Sequence, residues 1–357
     1  MRIAMFHGDL PRPGRKPGGV AVHVHRLSEA LVQRGHDVTV MTFSQAPEAA
    51  YDVVRLRPHF AETSSVAREY LVPWLFNVRS FAGFDVAHFH GDDWFYFRRT
   101  LPTVRTFHGS ALREAQHATS WRRRIDKRVV FALEILASKL ATGSYAVGPD
   151  EEAIYHARGL LSIGIDGVSE PEQRSSKPTI LFIGTWGGRK RGKLLYEVFR
   201  REVLARIPDA ELWMVADECP VSEGVKWIRA PSDRQLGALL SGAWLFCLPS
   251  AYEGFGIPYL EAMAHGTPVV ATPNPGSNVV LDRGTFGMLT TDERLGETLV
   301  AVLGDSALRA SLAETGRTRA GEYSWDRCCV VHEEAYDHAV ERWASRAGRV
   351  RLLRGRP

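Results

Sequence analysis

The sequence predicts an α/β fold made of two doubly wound domains. Three observations carry this expectation. The chain has 357 residues, more than one hydrophobic core usually serves. Short apolar runs recur and end in turn-forming or polar residues, as strands of a buried parallel sheet do. The opening order of strand, loop, helix and strand is that of a doubly wound sheet.

Arg2–Phe6 is the first predicted strand, ended by His7, Gly8 and Asp9. Pro11–Gly19 is a loop rich in glycine, proline and basic residues. Val20–Arg34 carries Val20, Val24, Leu27 and Leu31 at helical spacing, and Gly35 ends it. Asp37–Met41 is the second strand. Phe84–Phe89 and Pro102–Phe107 follow as strands, the first ending at His90, Gly91, Asp92 and Asp93 and the second at His108, Gly109 and Ser110. Ligands of open α/β sheets sit at the carboxyl ends of strands, so both histidines are placed toward a binding crevice. Trp121–Arg128 reads WRRRIDKR and runs into a helical pattern ending at Leu140. Segment 122–128 is read as a solvated helix face or as a peripheral contact with an anionic membrane. Tyr145–Pro149 closes the last strand of this half.

Gly167–Lys177 is polar and reads as a linker, which sets a hinge near residue 172. The first domain is therefore expected over 1–172 and the second over 173–330, with a helix of about 331–345 packing back on the first. Thr179–Ile183 is a strand followed by Gly184–Gly192, which contains Arg189, Lys190 and Arg191. The helix that follows puts Leu195, Phe199 and Val203 on one face. Glu211–Val215 and Val225–Arg229 are further strands. Trp227 is read as a core or surface tryptophan rather than a stacking platform. Ala243–Leu248, Thr267–Ala271 and Phe286–Leu289 complete the sheet, and residues 292–345 are mostly helical.

Composition excludes several classes. Apolar residues make up 45%, which is ordinary for a globular protein. The net charge of +4, from 45 basic and 41 acidic residues, is too mild to argue for nucleic acid. The four cysteines have neither disulfide-framework nor metal spacing, which suits a reducing compartment. No signal peptide and no run of about eighteen apolar residues is visible, so a cytoplasmic protein is expected, with contact at the inner membrane face left open.

Ser250–Ala271 reads SAYEGFGIPYLEAMAHGTPVVA and concentrates the chemistry. Glu253 precedes Gly254, Phe255 and Gly256, and Glu261 lies eight residues after Glu253. Glycines let a backbone approach a ligand closely. Pro258 suits the first turn of a helix, whose free N–H groups can bind phosphate oxygens. Carboxylates at the lip of such a turn accept hydrogen bonds from hydroxyls.

This stretch resembles the E-x7-E signature of the retaining glycosyltransferases of family 4, which adopt the GT-B fold: two Rossmann-like domains facing across a cleft. The resemblance spans most of the chain and is strongest from Gly184 to Ala271. It implies that Glu253 contacts the donor sugar, that amides at Phe255, Gly256 and Ile257 meet sugar and diphosphate, and that Glu261 holds the ribose. It further implies that Gly19 belongs to a loop meeting the donor phosphate or the acceptor, that Gly184 lies at the donor, and that His108 lies near the donor sugar. His90, Asp92 and Asp93 are expected on the acceptor side. Relatives place an arginine where this chain has Thr185. Lys190, with Arg189 as its partner and Arg191 nearby, is assigned the diphosphate instead. Fixed cations there stabilise the charge that builds on the leaving group. Gly276 fits a close approach to the donor, and Asn278 stands where relatives carry a glutamate.

The implied activity is retaining transfer of a hexose from a nucleotide sugar to a saccharide, a lipid-linked saccharide or a small molecule. Uridine is the favoured base, and neither a cofactor nor a catalytic metal is expected. Rival readings are a nucleotide-sugar epimerase and a non-catalytic glycan-binding or scaffold protein. A dinucleotide oxidoreductase is disfavoured, because no intact GxGxxG follows the first strand.

Overall fold

The structure is a computed structural model. It describes all residues except 12–17, 45–47, 57–69, 72, 117, 119, 168–172 and 355–357, and only the backbone of 347–354. The chain forms two compact units. One comprises Met1–Leu112, Ile125–Gly164 and Trp325–Pro357, and the other Arg113–Arg124 with Ile165–Ser324. The expected hinge near residue 172 lies outside the described residues.

The strands of the first unit are β1 (Arg2–Phe6), β2 (Asp37–Thr42), β3 (Asp52–Arg55), β4 (Val86–Phe89), β5 (Thr103–Phe107) and β6 (Gly143–Ala146). They form one sheet in the order β3-β2-β1-β4-β5-β6, with every pair parallel. Parallel strands need helical crossovers, which cover both faces and bury both sets of alternating side chains. Ile3 and Met5 accordingly pack on one face with Val24, Leu27 and Leu31 of helix α1 (Gly19–Gln33). Ala4 and Phe6 pack on the other with Phe76, Phe89 and Tyr96. Strand β3 was not anticipated. It is short and half-exposed at the sheet edge, so it lacks the apolar run that marks the others.

Helices α2 (Ala111–Gln116), α3 (Trp121–Leu140) and α4 (Pro149–Tyr155) follow β5 and β6. Asp93, expected as an acceptor contact, has a different place. It is fully buried and pairs with Arg99 (2.9 Å) and with Arg105, itself 2% exposed. Its carboxylate therefore neutralises two guanidinium groups beneath β5 and has no surface to offer a substrate.

The second unit repeats the architecture. Its strands are β7 (Thr179–Ile183), β8 (Glu211–Val215), β9 (Val225–Ile228), β10 (Leu245–Leu248), β11 (Val269–Ala271) and β12 (Met288–Leu289). Their order is β12-β11-β10-β7-β8-β9, again all parallel. Counted from its own first strand, this is the order of the first sheet, although no internal repeat is legible in the sequence. Its helices are α5 (Gly192–Val198), α6 (Asp233–Gly242), α7 (Ile257–Ala264), α8 (Pro275–Val280), α9 (Leu295–Gly304) and α10 (Ser306–Gly321). A π-helical turn, Phe199–Val203, extends α5, and Leu195, Phe199 and Val203 are all buried. Helix α11 (Trp325–Arg354) returns to the first unit, where Cys328, Cys329, Tyr336 and Ala339 join the α1 side of the core.

In each sheet the strand order reverses between two neighbours: β1 and β4 in the first, β7 and β10 in the second. A crevice opens at the carboxyl ends of such a pair. The two sets of candidate residues lie at these two places.

Candidate active site

In the second unit the chain leaves β10 at Leu248, turns through residues 249–256 and enters α7. Gly256 caps the helix with φ +99°, a left-handed conformation that side chains rarely adopt. A Cβ there would lie 2.4 Å from the Tyr259 ring. Gly276 is the second obligatory glycine, because a Cβ would lie 2.5 Å from the Phe255 carbonyl oxygen and 2.8 Å from the Glu253 Cβ. The expected close approach at Gly276 is thus an approach to the Glu253 loop, fastened by its N–H donating to the Glu253 carbonyl at 2.9 Å.

Glu253 is 5% exposed. Its Oε1 receives Lys190 Nζ at 2.7 Å and the Ser250 hydroxyl at 2.6 Å. Its Oε2 receives Arg189 Nη1 at 2.9 Å, which also donates to the Tyr252 carbonyl. Burial alone would raise the carboxyl's pKa, but Lys190 and then Arg189 outweigh it and hold it below the usual value. The structure therefore joins three residues that the sequence could only place sixty positions apart: an ionised carboxylate and two cations. Gly184 sits at the end of β7 against Lys190, where a Cβ would lie 3.0 Å from the Lys190 Cβ.

Arg191 goes elsewhere. It adopts φ +55° and turns to Asp292, with bonds of 2.7 and 2.9 Å, and to the Pro249 carbonyl at 2.6 Å. Its charge is matched by Asp292, and it fastens the end of β10 rather than standing beside Glu253. Thr185 donates its hydroxyl to the Gly187 carbonyl at 2.8 Å. Ile257 opens α7 and Glu261 lies one turn on, half-buried. Burial and the nearby Asp166 raise the Glu261 pKa, although Lys190 opposes them. Ser250 and Asn274 were missed. Asn274 caps α8 and donates to the Ser250 carbonyl at 3.0 Å, so it ties two loops that are distant in sequence.

In the first unit, His90 follows β4 and His108 follows β5. Their rings stack at 5.1 Å, and His90 Nδ1 shares a 2.8 Å hydrogen bond with His108 Nε2. His23, on the second turn of α1, packs edge-on against His108 at 5.2 Å and stacks on Trp325. His88 lies beneath His90 with ring centroids 4.0 Å apart, and it is tied to Tyr336 and Thr106. Desolvation, reinforced by mutual repulsion, keeps these rings neutral; the pKa of His108 falls to about 3. His23 was also missed, though a signal existed, since it stands three residues after Val20 and four before Leu27 on the inward stripe of α1. Gly19 is the exposed first residue of α1, and the loop before it lies largely outside the described residues. Asp92 is half-buried in a left-handed turn, φ +53°.

Comparison with known proteins fits both halves. Residues 17–161 match the family model "Glycosyltransferase Family 4", and residues 168–319 match "Glycosyl transferases group 1". The chain is 30% identical to the MMP alpha-(1->4)-mannosyltransferase of Mycolicibacterium hassiacum, over 97% of this chain and all of that one. It is 27% identical to the phosphatidyl-myo-inositol mannosyltransferase of Mycobacterium leprae, over 91% of this chain and 93% of that one. Among solved structures, sucrose-phosphate synthase of Thermosynechococcus elongatus superposes with a TM-score of 0.76 at 20% identity, covering 94% and 98% of the two chains. The Anabaena protein HepE, solved with UDP and glucose, gives 0.71 at 17% identity over 94% and 99%. The chain belongs to the glycosyltransferases that these two family models describe, with the GT-B fold. It is thus a transferase that moves a sugar from a nucleotide-sugar donor to an acceptor, which displaces the epimerase and scaffold readings.

Proposed function

We propose that the protein transfers a hexose, of mannose type, from a nucleoside-diphosphate sugar to a saccharide or lipid-linked saccharide, with retention at the anomeric carbon. The observation that carries the reading is Glu253, buried and ionised, gripped by Lys190 and Arg189 beside the first turn of α7. The mannosyl preference is supported by the names of the two mycobacterial relatives. Uridine is supported by the family resemblance and by the ligand of HepE.

In this scheme the amides of Phe255, Gly256 and Ile257 meet the diphosphate. Lys190 and Arg189 stabilise charge on the leaving phosphate as the bond from the anomeric carbon to its oxygen breaks. The acceptor oxygen bonds to that carbon on the same face, and its proton passes to the departing phosphate oxygen. Glu253 orients the sugar hydroxyls and does not attack. Glu261 holds the ribose. His108, as a neutral imidazole, offers a hydrogen bond to the reacting sugar, with His90 and Asp92 toward the acceptor. A thermal-shift panel of uridine, guanosine and adenosine diphosphate sugars tests the donor. One base is expected to raise the melting temperature by linkage, and that donor, offered with acceptor, should yield an α- or β-product matching its own configuration. Stabilisation by none of the three, or an inverted product, would end the reading.

The acceptor side includes a membrane surface. No helix among the described residues is long and apolar enough to cross a membrane. Helix α3 does expose Trp121, Ile125 and Val129 at four-residue spacing, 67%, 53% and 46% accessible, beside exposed Arg122, Arg123, Arg124 and Arg128. An apolar stripe bordered by arginines suits the interface of anionic lipid. Co-flotation with anionic vesicles and not with neutral ones is expected, weakened by Trp121→Ser. Absence of flotation at low salt would confine the acceptor to solution.

A further inference from the structure

The histidine cluster contains more than the donor scheme uses. Within it, one nitrogen each of His23, His90 and His108 lies within 4.8 Å of the other two. Among the described residues, both ring nitrogens of His23 and the Nε2 of His90 are buried without a hydrogen-bond partner. Such orphaned polar atoms are costly, and they are uncommon in folded proteins. The partnerless His23 ring lies against both other rings, with centroids 5.2 Å from His108 and 6.0 Å from His90.

We propose that His23, His90 and His108 form a three-imidazole site for a divalent transition metal ion of the zinc class. Three neutral imidazoles with a fourth position open are a donor set that zinc accepts, and nickel and copper share the preference. An imidazole binds a metal ion through the lone pair of an unprotonated ring nitrogen. Zinc–nitrogen bonds of about 2.0–2.1 Å place ligand nitrogens roughly 3.3 Å apart on a tetrahedral ion. A separation of up to 4.8 Å must therefore close by as much as roughly 1.5 Å, through rotation of the rings. The His90–His108 hydrogen bond is exchanged in the process. Its proton moves to an outer ring nitrogen, Nε2 of His90 or Nδ1 of His108, and the two facing nitrogens both bind the ion. No electron is transferred.

The layer beneath is already built. His88 supports His90 from below and is pinned on both sides by Tyr336 and Thr106. Trp325 supports His23. Only His108 is half-exposed, so the open coordination position faces outward at that ring. The ion would draw His108 away from the donor sugar and inhibit transfer. That consequence, unlike the site itself, rests on the role proposed for His108.

The test uses tag-free, full-length protein stripped with chelator, then dialysed against zinc and, separately, titrated with cobalt. One equivalent of zinc and a visible d–d band of tetrahedral cobalt are expected. His23→Phe keeps a ring on Trp325 and should weaken binding by about tenfold or more. His23→Gln serves if the phenylalanine variant does not fold. Cys328→Ala removes the thiol 3.6 Å from His332, the neighbouring pair that could take the ion instead, and should leave binding unchanged. Absent stoichiometric zinc, binding that survives both His23 substitutions, or binding lost with Cys328→Ala would each overturn the site. Stoichiometric binding without inhibition would keep the site and remove His108 from the donor scheme.

Discussion

Glu253→Gln is expected to lower kcat by about 10²–10³, the scale of removing one preorganised electrostatic group from an active site. Nucleotide affinity should hold or tighten at the same time. The amide fills the carboxylate's volume but cannot match Lys190 at 2.7 Å and Arg189 at 2.9 Å. Both cations are then released toward the diphosphate. A loss confined to the chemical step, with the free nucleotide bound at least as well, separates a group that orients the sugar from one that merely holds the loop. The measurement is steady-state kinetics with nucleotide titration on protein whose melting temperature is recorded alongside. Unchanged turnover in folded protein would sink the assignment of Glu253, and weakened nucleotide binding would mean that the carboxylate organises the cations instead.

Asp93→Ala is the largest expected change in stability. Removing one partner from a buried charge cluster leaves an uncompensated ion in the interior, which costs about 3–5 kcal/mol. Arg105 is 2% exposed and Arg99 is little more open, so neither guanidinium can turn to water. For a domain of this size that cost corresponds to a fall of roughly 6–20 °C in melting temperature. Asp93→Asn, which keeps an acceptor but loses the charge, should fall between. Thermal unfolding followed by circular dichroism measures both. A shift within about 1 °C for Asp93→Ala would show that water or another anion reaches the arginines. The result also decides function, because a residue needed on the acceptor side would lose turnover while keeping its stability.

What was legible and what was not divides along physical lines. Strands β1, β2, β7 and β10 were readable because both faces of a parallel strand are buried, so the whole run must be apolar. Strand β3 was not, since an edge strand half open to solvent carries no such run. The glycine turn was readable because its backbone demands glycine at Gly256, and the two glutamates were readable through the E-x7-E resemblance. The charge run Arg189–Lys190–Arg191 was readable only as a group. Nothing in its local pattern says that Arg191 adopts a left-handed backbone and turns to Asp292 while its two neighbours meet Glu253. Asp92 and Asp93 are adjacent and chemically alike, yet one lies half-open and the other under two arginines. That separation depends on Arg105, a polar residue inside a buried strand, and on the loop that brings Arg99 back.

The sequence by itself determined two parallel sheets and the turn that holds Glu253, because these rest on local periodicity and backbone freedom, and its resemblance to a known family implied the class of chemistry. Only the tertiary structure decided which cation meets which carboxylate, and that His23 joins His90 and His108. Those pairings join side chains from separate crossovers, and contact between them is set by where the strand order reverses, not by their spacing along the chain.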